Sequence, residues 1–215
     1  MLNTMFECAG QDDRVPMKLE KSIKKLKAGE TLTIVALGDS LTHGWLVRKG
    51  YLDFMSEMIK SRYPHSTVKI INRGVPGDTA EGGLARLEHD VIDLNPDLVF
   101  IQFGLNDAFS GISAEKFKNT IRIIVAELKA ETEAEMLLLT SVPIMNERED
   151  FIAERFYHSI LTVAGEEDIP VVPVHRYWKK KISEGMDFRK LVQSDLVHPT
   201  VEGYRLMSEA IIEVF

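Results

Sequence analysis

Compact apolar runs alternate with helically spaced apolar positions along most of the chain. The runs at 32–37, 68–71, 98–103, 136–140 and 171–174 are each the length of a strand, and several are apolar at successive positions rather than at every second one. Between them the spacing turns helical, as in Phe117, Ile121, Ile124, Val125 and Leu128. Continuously apolar strands are buried on both faces, and parallel strands need helical crossovers, so the pattern predicts five strands in a doubly wound α/β sandwich. Asn95-Pro96-Asp97 and Asp168-Ile169-Pro170 stand directly before strands and read as breakers, not domain boundaries. Nearer the start, Leu19, Ile23 and Leu26 recur at helical spacing among Lys18, Lys21, Lys24, Lys25 and Lys27, a basic amphipathic helix. Such a helix either lies on the core or docks on a membrane surface or a partner. The expected division is an N-terminal extension, 1–28, and one domain, 29–215.

Composition narrows the classes. The 215 residues, 45% hydrophobic and 27% charged, have the globular balance and suffice for one sizeable core. Acidic side chains outnumber basic ones, 33 to 26, and the net charge of -7 argues against a nucleic-acid binder, which needs a basic stripe to displace counterions. Cys8 is the only cysteine, so no intrachain disulfide forms, as suits a reducing compartment. No apolar run reaches the roughly 18 residues of a membrane span. Residues 1–10 lack the charged-then-apolar order of a signal peptide. A cytoplasmic protein without stable membrane insertion is expected.

Ligands of a doubly wound sheet bind outside the carboxyl ends of its strands. Three successive strands end there in small and polar residues: Gly38-Asp39-Ser40-Leu41-Thr42, Asn72-Arg73-Gly74-Val75-Pro76-Gly77-Asp78-Thr79 and Gly104-Leu105-Asn106-Asp107. Ser40, where strand gives way to helix, suits a nucleophile and equally suits a helix N-cap. The GxSxG elbow of α/β-hydrolases is not met, because Thr42 stands where its second glycine belongs.

A serine nucleophile needs a base held by an orienting group. Among six histidines His198 stands apart because Asp195 lies three residues before it, in Asp195-Leu196-Val197-His198-Pro199-Thr200, a spacing that lets a carboxylate receive the Nδ1 proton and leaves Nε2 as acceptor. The alternative is an Asp195 that caps the next turn beside a surface histidine. Hydrolysis also needs donors for an oxyanion. The N–H of Ser40, the N–H of Gly77 and the amide of Asn106 are candidates, the glycine because a backbone without Cβ can approach a substrate closely. Alternatively Gly74 and Gly77 only permit a turn, and Asn106 caps the helix beyond Gly111.

Together these four blocks, in order and spacing, resemble the SGNH (GDSL) hydrolase family, and the likeness runs from Thr31 to Phe215. The resemblance implies a three-layer α/β/α sandwich, flavodoxin-like with strand order 2-1-3-4-5. It implies Ser40 as nucleophile, His198 as base, Asp195 as its orienter, and an oxyanion hole from Ser40, Gly77 and Asn106. The stretch Gly83-Leu84-Ala85-Arg86-Leu87 looks like the thioesterase/lysophospholipase branch. Leu105 departs from the pattern where a second glycine is common, which would narrow the acyl pocket.

The expected activity is a serine esterase acting on short or medium acyl esters, with a small-molecule ester as partner, no cofactor and no metal. Asp39, His43, Leu105, Phe109 and Val197 are candidate pocket residues, and Trp45 and Phe151 are further apolar candidates. Two rivals remain. A metal-dependent phosphoesterase would gather Asp39, Asn106, Asp107, Asp195 and His198 around an ion. A catalytically silent carbohydrate-binding protein would keep the fold alone.

Overall fold

The computed structural model describes residues 17–215; Cys8 and residues 1–10 lie outside them. Five strands, β1 (Thr31–Gly38), β2 (Thr67–Gly74), β3 (Leu98–Gln102), β4 (Glu135–Leu139) and β5 (Val171–Val172), form one parallel sheet in the order β2-β1-β3-β4-β5. This is the expected order, with each strand within a few residues of its apolar run. The last is cut short at Val172, because Val174 already opens a helix.

Alternation along the central strands sorts the core into two layers. Leu32, Ile34, Ala36, Leu98, Phe100, Leu137 and Leu139 face one side. There they meet α1 (Glu20–Lys27), α2 (Ser40–His43), α3 (Tyr51–Arg62), α9 (Val174–Ser183), α10 (Phe188–Leu191) and α11 (Val201–Ile211). Val35, Leu37, Val99, Ile101, Met136 and Leu138 face the other. There they meet α4 (Ala80–Ala85), α5 (Leu87–Asp90), α7 (Ala114–Glu131) and much of α8 (Glu147–Glu167). Burial of both faces is why these strands carry few polar residues.

The basic helix α1 is laid on the core. Leu19 and Leu26 are fully buried, and the Leu19 N–H donates to the Val214 carbonyl. The first-turn N–H groups of Lys21 and Ser22 donate to the Glu135 carboxylate, which replaces a side-chain cap that Leu19 cannot supply. Its apolar stripe is therefore covered, and the lysines line the solvent side.

Register decides where the loops emerge. Gly38 pairs with Gly74 on one flank and with Gln102 on the other, so β1, β2 and β3 end at one level. Gly38 is required for close approach: a Cβ there would collide with the Thr42 hydroxyl and the Gln102 carbonyl. The short helix α6 (Leu105–Phe109) follows β3 directly and belongs to the same edge.

Candidate active site

Ser40 is the first residue of α2, and the residue that caps this helix is Asp39, whose carboxylate accepts the Leu41 N–H at 2.8 Å. Ser40 is thus freed from capping. As the first residue of a helix, its own N–H has no carbonyl within the turn to reach. Its Oγ lies 2.9 Å from His198 Nε2.

His198 sits in the loop between α10 and α11, and Asp195 holds it from the Nδ1 side at 2.7 Å. The same carboxylate also accepts the backbone N–H groups of Val197 and His198. Leu196 makes this possible by taking a left-handed conformation, φ 63°, so that the chain folds back over Asp195. Partial burial opposes ionisation of Asp195, but the N–H groups of Val197 and His198 and the imidazole outweigh it and hold the carboxyl below its ordinary range. An ionised Asp195 fixes the tautomer with Nδ1 protonated, leaving Nε2 to accept from Ser40.

Gly77 and Asn106 face the same space as His198, in a cleft of about 470 Å³ that also draws on Leu105, Phe109, Ile144 and Val197. Gly77 has φ +80°, and a Cβ added to it would meet nothing within 4 Å, so the glycine serves a left-handed turn and not a close contact. The Asn106 Nδ2 donates one proton to the Asp78 carbonyl at 2.8 Å, which orients the amide and leaves the second proton for a ligand. Asn106 is not the cap of the helix beyond Gly111; Ser113 is.

Arg86, singled out in sequence only as part of a family-like stretch, clamps this loop. Its guanidinium reaches the Asp78 carboxylate and the carbonyls of Arg73 and Gly38, joining the ends of β1 and β2 to the turn that carries Gly77. Asp107 likewise accepts the Ala80 and Gly104 N–H groups, tying α4 to the start of α6. Burial raises its pKa, and those donors partly counter the rise.

Two expected pocket residues are elsewhere. Asp39 is fully buried beneath Ser40, bonded to Leu41 and, at 3.4 Å, to Gln102, because capping α2 turns its carboxylate inward. Burial lifts its pKa to about 7. His43 is exposed and turned to the Gly74 carbonyl, outside the cleft, because the helical turn after Ser40 carries it to the β2 side. Leu105, Phe109 and Val197 do line the cleft, and Trp45 stands beside it with its ring 6.2 Å from that of His198. Phe151 is solvent-exposed and lines a different depression. Ile144 and Glu149 complete the cleft from the loop after β4 and the first turn of α8, and nothing in the local sequence marks them. The groups a metal would need do not converge. Asp39 and Asp107 point into the interior, and among the described residues no three His, Cys, Asp or Glu side chains gather as a metal site.

The arrangement has a hydroxyl, an imidazole and an ionised carboxylate in relay, beside an apolar cleft lined by the Asn106 amide and the Gly77 turn. That combination activates a nucleophile and receives an oxyanion. The GDSL-like lipase/acylhydrolase family matches the chain over residues 36–206. An acetylxylan esterase of Geobacillus stearothermophilus is 23% identical over 212 residues, spanning 87% of this chain and 94% of that protein. Thioesterase 1/protease 1/lysophospholipase L1 of Escherichia coli (strain K12) is 27% identical over 147 residues, 68% of each. The crystal structure of the acetylxylan esterase, Axe2, superposes with a TM-score of 0.78 at 22% identity, covering 87% of this chain and 96% of that one. Alanine variants of Axe2 at a serine, an aspartate and a histidine are described as catalytic mutants of that enzyme.

Proposed function

The chain belongs to the GDSL-like lipase/acylhydrolase family, and from that premise we propose that it hydrolyses carboxylic esters of short to medium acyl groups through an acyl-enzyme on Ser40. The observation that carries the assignment of roles is the relay from Ser40 Oγ to His198 Nε2 at 2.9 Å and from His198 Nδ1 to Asp195 at 2.7 Å.

As Ser40 Oγ attacks the acyl carbonyl, its proton passes to His198 Nε2, and the imidazolium is stabilised by Asp195. The carbonyl oxygen, now negative, is received by the N–H groups of Ser40 and Gly77 and by the Asn106 amide. His198 then protonates the departing alcohol. A water molecule, losing its proton to the same nitrogen, attacks the acyl carbon, and collapse of that second intermediate releases the acid and restores Ser40. Leu105, Phe109, Ile144 and Val197 supply the apolar wall against which the acyl chain lies.

The test is hydrolysis of p-nitrophenyl esters from acetate to palmitate by the wild type and Ser40→Ala, each with and without EDTA. Activity that is lost with Ser40, indifferent to EDTA and highest on the short and medium chains is expected. Full activity in Ser40→Ala, or activity abolished by EDTA, would overturn the reading.

A further inference from the structure

Among the described residues eight large hydrophobic side chains are exposed, and Met17, Ile123 and Phe151 lie away from the catalytic cleft, Phe151 in the separate depression described above. The other five are Leu46, Val75, Phe109, Leu196 and Val201. Each belongs to a segment that leaves the carboxyl end of a strand or flanks the triad. Leu46 follows Trp45, Val75 precedes the Gly77 turn, and Phe109 lines the cleft itself. Leu196 and Val201 bracket His198.

One of the five is held out against the backbone's own preference with no role inside the chain. Leu46, at φ 53°, is a leucine in the left-handed region, where a side chain with a Cβ is disfavoured, whereas the same region at Leu196, φ 63°, serves the turn around Asp195. Leu46 is nevertheless 77% exposed, so neither burial nor packing within the chain accounts for its placement. Scattered single hydrophobics on a surface are ordinary, but a group of them around one opening marks a surface that meets something apolar.

We infer that this rim docks the catalytic edge onto the surface of an aggregated, electrically neutral amphiphilic ester, such as a micelle of a monoacyl ester of a polyol, and so delivers the substrate to Ser40. The inference rests on the esterase reading above and adds the physical state in which the substrate is met. A protein partner seated permanently on the rim would close the cleft, whereas an aggregate that contains the substrate both covers the rim and fills the cleft. Continuity supports this, because the apolar lining of Leu105, Phe109 and Val197 runs outward into Phe109 and Leu196 of the rim. Charge supports neutrality. The charged side chains next to the rim residues along the chain have both signs, Arg48 and Lys49 after Leu46 and Glu202 after Val201, and the chain carries -7 overall, which repels an anionic surface.

The experiment follows the rate on monodecanoylglycerol through its aggregation concentration, with p-nitrophenyl acetate as the dissolved control. Wild type is compared with the Leu46→Ser/Val201→Ser double variant, whose positions lie outside the triad and the cleft. The wild-type rate is expected to climb above its monomer plateau at the aggregation point. The variant should lose about tenfold of that rise, the scale on which two large apolar side chains change an affinity, with its p-nitrophenyl acetate rate unchanged. Co-elution of the wild type, and not of the variant, with dodecylphosphocholine micelles is the accompanying binding result. A rate that saturates smoothly through the aggregation point, or a variant equal to wild type in rate and co-elution, would overturn the inference while leaving the esterase intact. A sedimentation profile in which the wild type is a stable oligomer and the variant a monomer would also overturn it, assigning the rim to a second copy of the chain. Failure on dissolved p-nitrophenyl acetate would instead strike the esterase reading, and this inference with it.

Discussion

Ser40 Oγ and His198 Nε2 meet at 2.9 Å although 158 positions separate them in the chain. The serine is delivered by the end of β1 and the histidine by the loop before the last helix, and Asp195 holds the imidazole from behind. Replacement of Ser40 by Ala removes the attacking atom and leaves the cap on α2 to Asp39. Loss of at least about 10,000-fold in kcat is expected, with a far-UV spectrum and Tm close to wild type. Retention of more than a few percent activity would remove Ser40 from the nucleophile's role.

Asp195→Asn keeps an acceptor oxygen for the Val197 and His198 amides but removes the charge that fixes the imidazole tautomer. About a 1,000-fold to 10,000-fold fall in kcat/KM is expected, with little change in KM. Because its donors keep Asp195 ionised below the ordinary carboxylate range, its titration should not set the acid limb of the wild-type pH–rate profile at pH 5 to 6. Equal activity of Asp195→Asn and wild type at pH 7 would contradict the relay.

Asn106→Ala should lower kcat by about 100-fold to 1,000-fold, the usual loss of one oxyanion donor, and barely move KM for a soluble ester. Gly77→Ala meets no steric obstacle, but φ +80° disfavours any Cβ, so a loss of about 1–2 kcal/mol in stability or a shifted turn is expected. Chemical denaturation and pre-steady-state kinetics separate the two effects. A Gly77→Ala enzyme as stable and as active as wild type would show that the turn does not need its left-handed residue.

Burial, only partly countered by the Leu41 amide and Gln102, raises the Asp39 carboxyl to about 7 from an ordinary 3.8. The unfolded chain loses that proton near pH 4 and the folded chain keeps it to about pH 7. Between those values the folded state binds more protons, so this group makes stability fall as pH rises, by on the order of 4 kcal/mol in total. Asp39→Asn should flatten that part of the slope. Urea unfolding from pH 4.5 to 8 checks it, and parallel curves for variant and wild type would refute it.

Phe109 is half exposed and lines the cleft, so Phe109→Ala should cost less than about 1 kcal/mol of stability. The KM for p-nitrophenyl octanoate should rise by about fivefold to tenfold and that for the acetate should hardly change, since only the longer chain reaches this wall. Equal effects on both esters would place the acyl group elsewhere.

The sheet and its reactive edge were legible in the residues because they depend on local periodicity and on turn chemistry. Unbroken apolar runs can be satisfied only between two layers, and Gly38, Gly77 and Gly104 mark where the chain must approach closely or turn left-handed. The aspartate three residues before His198 is equally local, since the loop they share closes on itself through Leu196. What no local pattern contained were the contacts that depend on register and on which side chain turns inward. Asp39 and Ser40 are neighbours in sequence, yet capping takes the first into the interior and leaves the second to His198. His43, close to Ser40 in sequence, is carried to the Gly74 carbonyl by one turn of helix. Ile144 and Glu149 reach the cleft because β4 lies beside β3 in the sheet, and Arg86 clamps Gly38 and Asp78 because α4 returns across the ends of β1 and β2. Such partners are chosen by packing over long sequence separations, where strand order and crossover direction decide which atoms meet.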